Sequence, residues 1–539
     1  MPKEKQSAHS HAADLQSATV NVVLIWPEFP VTYWGGQYSL WIIGKRALMP
    51  PLGLLTVAAL CPPEWNLRLI DLNIEKLSLA DLDWADLALI SGMRIQHKSM
   101  AETIERCRES GVPTVVGGPH ASSSRERFAQ ATHLVLDEGE ITLPMFFTDY
   151  AAGTARRVYE SNGEKPELTQ TPIPRFDLLK LDAYVHMCIQ FSRGCPFNCE
   201  FCDITMLFGK TPRTKSISQI LAELQAIYDV GFRGEIFFVD DNFVGNKKNV
   251  KLMLPELIAW MKERKYPFAF YTEASLTLAD DDELLELMRE ANFYSVFVGI
   301  ESPSLECLRE TQKHQNVQGD MLSKIHKIHS YGMEVMGGFI VGFDQDPEDI
   351  FERQLEFIAA ARIPMAMVGP LSAMPNTQLW LRLQVEGRLM EEWGGDTFDF
   401  CNFVTVMPRL TLIRGYRTIM ATLYKPVNFF DRLYDLVSSL QGTSNQIFGQ
   451  LSPSTRVKYF FPLMGALLWI ACTDKNRGEY LRFLMRILRN HPEKFLLALC
   501  RTIVGHHLIQ YTDQVTLPNL NRLESELLQN EHVAETVLR

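Results

Sequence analysis

The sequence predicts an α/β protein in three parts: a doubly wound parallel sheet, a run of six βα units, and a mostly helical C-terminal region. Three observations lead there. Short apolar runs alternate with helical patterns from residue 20 onward, the alternation restarts after a polar, proline-containing stretch at 162–174, and the strand pattern stops near 391. A chain of 539 residues has room for two or three domains. The pattern places a disordered tail at 1–18, a first domain at 19–155, a linker at 156–174, a second domain at 175–390 and a third at 391–539.

Composition narrows the function. An apolar share of 46% is ordinary for a globular chain, and a net charge of −11 without a long basic run argues against a nucleic-acid partner. Residues 1–18 lack an apolar stretch, so they do not read as a secretory signal, and no apolar run is long enough to span a bilayer. The ten cysteines are scattered apart from one trio, which suits a reducing, cytoplasmic location.

In the first domain, strands are expected at 20–25, 67–71, 87–91, 114–117 and 134–137, and helices at 52–60, 98–109 and 122–128. Sheets of this kind bind ligands on the loops at the carboxyl ends of their strands. Those loops carry Pro51-Leu52-Gly53, Ser91-Gly92-Met93, Gly117-Gly118-Pro119-His120 and Glu138-Gly139. Glycine there permits close backbone approach to a large ligand, or simply a tight βα turn.

A strand expected at 187–191 runs into Ser192-Arg193-Gly194-Cys195-Pro196-Phe197-Asn198-Cys199-Glu200-Phe201-Cys202. Thiolates are the usual ligands of iron–sulfur clusters, and a four-iron cluster normally takes four. Three closely spaced cysteines leave one iron open, and an open coordination position marks chemistry rather than scaffolding. A zinc site would want a fourth Cys or His nearby, and a disulfide belongs to an oxidising compartment. Gly194 and Pro196 suit a tight loop around one centre.

The second domain continues with helices at 217–230, 248–262, 281–291, 321–330 and 348–361, and strands at 235–239, 268–272, 295–300, 335–341 and 365–369. With the strand before the cysteines these make six βα units, whose chemistry should sit at the strands' carboxyl ends. Asp240, Asp241 and Asn242 end one strand, Glu273 and Ser275 the next, then Glu301 and Ser302, then Gly342-Phe343-Asp344. Each acid alone reads as a helix cap or a solvated loop residue. Their coincidence at successive strand ends points to a ligand site.

In the third domain Gly394-Gly395-Asp396 breaks the pattern, and helical stretches follow. The run 459–472 is apolar but too short to cross a bilayer. The run 480–489 sets Arg482, Arg486 and Arg489 among Leu, Phe, Met and Ile, and 494–506 continues in that style. It reads either as a helical cap on the barrel with its arginines in water, or as a basic amphipathic segment lying on a membrane surface.

The cysteine loop, with Phe201 just before its last cysteine, resembles the signature of radical S-adenosylmethionine (SAM) enzymes. The resemblance implies a (βα)6 partial TIM barrel and a [4Fe-4S] cluster on Cys195, Cys199 and Cys202. SAM would chelate the open iron, and an electron from a donor such as flavodoxin or ferredoxin would cleave it to a 5′-deoxyadenosyl radical. SAM carries an ammonium, a sulfonium and ribose hydroxyls, which carboxylates suit. Asp240, Asp241, Asn242, Glu273, Ser275 and Glu301 lie in segments similar to the family's SAM contacts, with Ile340 on the strand facing the adenine and Phe201 against it.

The Pro50-Pro51-Leu52-Gly53-Leu54 run and the Gly-Gly-Pro-His loop ahead of such a core resemble the Rossmann-like cobalamin-binding domain of cobalamin-dependent radical SAM enzymes. That implies cobalamin contacts at Pro51, Leu52, Gly53, Ser91, Gly92, Met93, Gly117, Gly118, Pro119, His120, Glu138 and Gly139. The Asp-x-His-x-x-Gly motif that supplies a lower axial histidine in other cobalamin proteins is absent. The helical C-terminal domain resembles that of a subgroup including the hopanoid C-2 methylases. The implied activity is methyl transfer from methylcobalamin to an unactivated carbon of a small or lipid-like substrate. A non-methylating relative, such as a tetrapyrrole oxidative cyclase, and a non-catalytic cobalamin- or cluster-binding sensor stay open beside it.

Overall fold

The computed structural model describes residues 19–390, 400–441 and 453–537, with the side chains of 453–462 and 530–537 left aside. The expected tail at 1–18 and the break at 394–396 lie outside the described residues.

The first sheet contains β1 (Asn21–Trp26), β2 (Asn66–Asp71), β3 (Leu87–Ser91), β4 (Thr114–Gly117), β5 (His133–Val135) and β6 (Val158–Tyr159). They pair in the order β2-β1-β3-β4-β5-β6, every pair parallel. Alternate side chains of β1 feed different cores. Val22 and Leu24 pack with Leu54, Ala58 and Phe146, while Val23 and Ile25 pack with Met100, Ile104 and Cys107. Burial on both faces is why these strands read as continuous apolar runs. The order reverses between β1 and β3, and doubly wound sheets bind ligands at such a switch point.

Three local differences from the sequence reading have physical causes. The helix expected at 122–128 starts earlier, at Pro119–Ser123, because proline suits the first helical turn. Ser124, at φ −150°, then breaks it before a 3-10 turn at Arg125–Phe128. The strand expected at 134–137 stops at Val135, and Asp137 turns left-handed at φ 61°. The sixth strand, Val158–Tyr159, falls inside the stretch read as linker.

The second sheet contains β7 (Met187–Ile189), which is followed by a small ribbon of β8 (Ser192–Arg193) and β9 (Arg213–Thr214). Then come β10 (Gly234–Phe238), β11 (Phe268–Glu273), β12 (Phe293–Glu301), β13 (Glu334–Val341) and β14 (Ala366–Pro370). The six strands outside the ribbon pair in sequence order, all parallel, and β7 and β14 remain edges, so the barrel is partial. Side-chain alternation separates two environments. Ile236, Phe238, Val296, Val298 and Val341 are buried under the surrounding helices, whereas Phe237, Phe297, Ile340 and Met367 are only half-buried on the other face. Side-chain caps start the helices Ile217–Asp229 (Ser216), Lys247–Glu263 (Asn246), Asp282–Glu290 (Asp281) and Met321–Ser330 (Asp320).

The C-terminal region is helical: Arg409–Leu423, Pro426–Ser439, Pro453–Thr473, Arg477–Asn490, Phe495–Tyr511 and Leu517–Val537. Phe495–Tyr511 is buried nearly all round, with Arg501 paired to Glu334 at 2.7 Å. The stretch 494–506 is therefore interior, not a surface helix. No helix among the described residues is long and apolar enough to cross a membrane.

Candidate active site

The cysteine loop is held from several sides. Gly194 sits at φ 95°, and a Cβ there would lie 2.8 Å from the Gly209 carbonyl oxygen, so only glycine fits. Fully buried Asp240 accepts from the Phe191 N–H at 2.9 Å, from the Ser192 hydroxyl at 2.5 Å and from the Ser192 N–H. Glu200, between the second and third cysteines, accepts from Arg382 at 2.6 Å, and its N–H donates to the Thr311 carbonyl. Asn242 Nδ2 lies 3.8 Å from Cys195 Sγ, and Gln315 Nε2 lies 3.6 Å from Cys199 Sγ. Burial raises the Cys195 thiol and pushes Cys202 up to about 12, with Lys313 pulling the other way on both. The three cysteines are free thiols.

Among the described residues no group of three His, Cys, Asp or Glu is placed to hold a single metal ion. What fits a cluster is the chemistry of the donors: three half-buried thiols on one loop, with the Asn242 and Gln315 amides turned to two of the sulfurs. Binding iron would displace the thiol protons that burial retains.

At the strand ends, Asp241 and Glu273 form an acidic pair, with no basic side chain among the leading influences on either carboxyl in the described residues. Asp241 is raised to about 7 by burial and then by the charge of Asp240, and its Oδ2 is buried without a hydrogen-bond partner. Glu273 is raised to about 8 by burial and then by Asp241 and Asp240. A ligand bearing an ammonium group or ribose hydroxyls would satisfy both. Asn242 accepts from the Ser275 N–H at 3.1 Å, tying two strand ends together, and the Ser275 hydroxyl bonds to Thr277. Glu301, at φ 65° on a bulge, pairs with Lys313 at 2.6 Å. The Ile340 carbonyl accepts from Gln354 at 2.7 Å, and the residue is half-buried. Phe201 packs 6.3 Å from Phe343. Asp240 differs from the sequence reading: its oxygens are engaged by the cysteine loop, which makes it a clasp.

The loops of the first sheet divide in the same way. A Cβ at Gly117 would lie 2.6 Å from the Val135 carbonyl oxygen, at Gly118 2.2 Å from Ser91 Oγ, and at Gly92 2.8 Å from Met100 Sδ. Gly117 is required by the neighbouring strand's backbone and Gly118 by its φ of 86°, whereas Gly92 meets only a flexible methionine. Gly53, in the helix Leu52–Leu60 that opens after Pro51, backs onto open space, and Met93 is exposed, so this edge keeps room for a large ligand. His120 follows Pro119 in a short helix, is buried, and meets His97 at 3.1 Å. Burial, then Arg94, push its pKa down to about 3. Glu138, just ahead of Gly139, is buried against Arg193 and Arg213. A polar cleft of about 460 Å³ opens nearby, lined by Ser122, Asp137, Asn162 and, from the barrel side, Asn376. The last three are all left-handed, at φ 61°, 53° and 66°, a backbone state enriched at functional sites.

Comparison with known proteins decides the family. The chain is 40% identical over 526 residues to an uncharacterized methyltransferase of Synechocystis sp., covering 96% of this chain and 97% of that protein. It is 32% identical to the hopanoid C-2 methylase of Rhodopseudomonas palustris, covering 93% and 95%. Family profiles match in the expected order: a B12 binding domain at 45–146, the radical SAM superfamily at 189–358 and a domain of unknown function at 377–518. This chain belongs to the cobalamin-dependent radical SAM methyltransferases. The fold agrees with that of the cobalamin-dependent radical SAM enzyme OxsB, at 16% identity and a TM-score of 0.57, covering 97% of this chain and 82% of that one.

For a radical SAM methyltransferase, the residues that sequence reading missed are informative. Lys313 and Gln315 approach the cysteines from beyond β12, and no local motif announced them. The inner wall of the barrel carries Phe237 stacked on Tyr271 at 4.6 Å. Trp34, from the loop after β1, meets Phe297 at 5.6 Å and donates its indole N–H to Met367 Sδ. Alternation along the strands was the available signal for the wall, but nothing local foretold Trp34.

Proposed function

We propose that this enzyme methylates an unactivated carbon of an apolar, polycyclic lipid-like substrate. The observation that carries the reading is the inner wall of the barrel. Half-buried Phe237, Phe297, Ile340 and Met367, with Trp34 and Tyr271, face the space beside the acidic strand ends and offer flat apolar contact. The likeness along nearly the whole chain to a hopanoid C-2 methylase supports the same class.

When bound, the cluster and SAM would supply a hydrogen-abstracting radical and cobalamin a transferable methyl group, with an external donor such as flavodoxin or ferredoxin giving the electron. The chain's residues bind and orient. Cys195, Cys199 and Cys202 hold the cluster. Asp241, Glu273, Asn242 and Ser275 hold SAM, with Glu301 fixed beside it by Lys313. Pro51, Leu52, Gly53 and Met93 face cobalamin. The apolar wall keeps water from the reacting carbon. Exposed Leu481, Met485 and Leu488, beside Arg482, Arg486 and Arg489 on the helix Arg477–Asn490, support peripheral contact with an anionic lipid surface.

The test is anaerobic reconstitution with iron, sulfide, cobalamin and SAM, followed by incubation with triterpenoid lipids and, separately, with tetrapyrroles. Triterpenoid product heavier by one CH2 is expected, together with loss of deoxyadenosine formation when any of the three cysteines becomes alanine. SAM cleavage that oxidises a tetrapyrrole without adding mass would overturn it. Failure to float with anionic liposomes would remove the membrane contact.

A further inference from the structure

We propose that Glu138, Glu140, Arg193 and Arg213 form a positioning lock that fixes the cysteine loop against the loop after β5, so setting the cluster relative to cobalamin. The proposal rests on the function read above, and it moves Glu138 from cobalamin contact to positioning residue.

The geometry is closed on both sides. Arg193 stands two residues before Cys195, and Arg213 is its partner across the β8–β9 ribbon. Glu138 and Glu140 flank Gly139, the first residue of the helix Gly139–Ala151 on the first sheet. Arg193 donates to Glu138 at 2.9 Å and to Glu140 at 2.8 Å, while its Nε donates to Gln190 at 2.8 Å. Arg213 reaches the other Glu138 oxygen at 2.8 Å. Side-chain exposure is 2% for Glu138, 7% for Glu140, 12% for Arg193 and 14% for Arg213.

Burying so many charges costs solvation that their mutual attraction only roughly repays, so such a network contributes little net stability compared with an apolar contact. What it supplies is direction. A guanidinium fork bound to two carboxylates has one low-energy orientation, which an apolar contact lacks. The fork lies on the strand leading to the first cysteine, and the carboxylates lie at the N-cap and in the first turn of the helix Gly139–Ala151, at the ligand edge of the first sheet. A shift of one carries the other.

The test compares wild type with Glu138→Gln and Glu140→Gln, each of which keeps shape and removes a charge. Amide exchange in the cofactor-free proteins is measured first. Segment 192–214 should exchange on the order of tenfold faster in Glu138→Gln, with β1 to β4 unchanged. In reconstituted protein, iron content and deoxyadenosine formation should stay within about twofold of wild type. The ratio of deoxyadenosine to methylated product should rise on the order of tenfold or more, because a small misplacement of reacting groups has effects of this size. Unchanged exchange in 192–214 overturns the lock whatever the enzyme's substrate is. A parallel fall of deoxyadenosine and product, with an unchanged ratio, also overturns it and leaves a purely structural contact. If Glu138→Gln does not fold, the same readings on Glu140→Gln, which retains the Arg213 pair, decide. Wild type that incorporates no iron and cleaves no SAM would sink the functional reading, while the exchange result would still judge the lock.

Discussion

Asp240 shows how a residue can be found for the wrong reason. Its place at a strand end beside Asp241 was legible, because the Val-Asp-Asp-Asn pattern is local. Its role was not, because its partners Phe191 and Ser192 lie more than forty residues away in sequence. Hydrogen bonds to a buried carboxylate contribute roughly 1.5–3 kcal/mol each to stability when lost singly. Asp240→Ala is therefore expected to lower unfolding free energy by about 3 kcal/mol and to reduce iron incorporation, read by urea titration and iron assay. Full iron content in a destabilised variant would contradict the clasp. Glu273 makes the complementary prediction. Burial, then the charges of Asp241 and Asp240, raise its carboxyl from 4.5 to about 8. The folded chain then binds this proton more tightly than the unfolded chain. Stability of the cofactor-free protein should be full below about pH 4.5 with respect to this group, and should fall as pH rises towards 8, by on the order of 5 kcal/mol. Glu273→Gln should flatten that slope and weaken SAM binding. A slope the same in both proteins would remove Glu273 from the acidic pair.

Single elements were legible where the sequence buries both faces. The strands Leu87–Ser91 and Thr114–Gly117 and the helix Met321–Ser330 have the expected bounds, because an apolar run or an amphipathic period sets them without help from elsewhere. The helix Gly139–Ala151 was not foreseen: Pro144 interrupts its pattern in the second turn. The edge strand Val158–Tyr159 is only two residues long and hides among arginines. Phe495–Tyr511 packs on the barrel, as the cap reading has it, but its arginine does not lie in water. One arginine among apolar residues looks like the polar face of a surface helix, yet Arg501 is buried against Glu334, 167 residues earlier in sequence. Breaking a buried pair from one side leaves an unpaired charge, at about 3–5 kcal/mol, whereas replacing both partners by apolar residues is often neutral. Arg501→Met should therefore destabilise strongly in urea titration, and the double variant Arg501→Met with Glu334→Leu should recover most of the loss. A double variant no better than the single one would mean that the helix holds the barrel by packing alone.

Across the whole molecule, the parts are joined by a loop that no local pattern marks. The segment 27–50 leaves the first sheet, passes the barrel wall and is gripped by the C-terminal helices. Tyr33 and Tyr424 hydroxyls meet at 2.5 Å, Ser39 donates to the Ile503 carbonyl at 2.6 Å, and His507 Nε2 lies 3.0 Å from the Thr32 and Tyr33 carbonyls. Burial pushes the pKa of His507 down to about 4, so it grips as a neutral ring. These contacts hold Trp34 against Phe297 and Met367, so the apolar wall proposed for the substrate draws on all three parts of the chain. His507→Ala strands the buried Tyr33 carbonyl and leaves the Thr32 carbonyl only its bond from the Gly35 N–H, and leaving such a group unpaired costs about 1–3 kcal/mol, which raises the population of open loop roughly tenfold. Protease cleavage near Tyr38 and Trp41 should accelerate by that factor. Methylated product should fall while deoxyadenosine formation continues, because the clasp on the cysteine loop (Asp240, Arg382 and Thr311) and the Asn242–Ser275 tie at the strand ends lie outside the stretch that His507 grips. If cleavage stays slow, or if deoxyadenosine and product fall together, the C-terminal helices do not shape the substrate wall through segment 27–50.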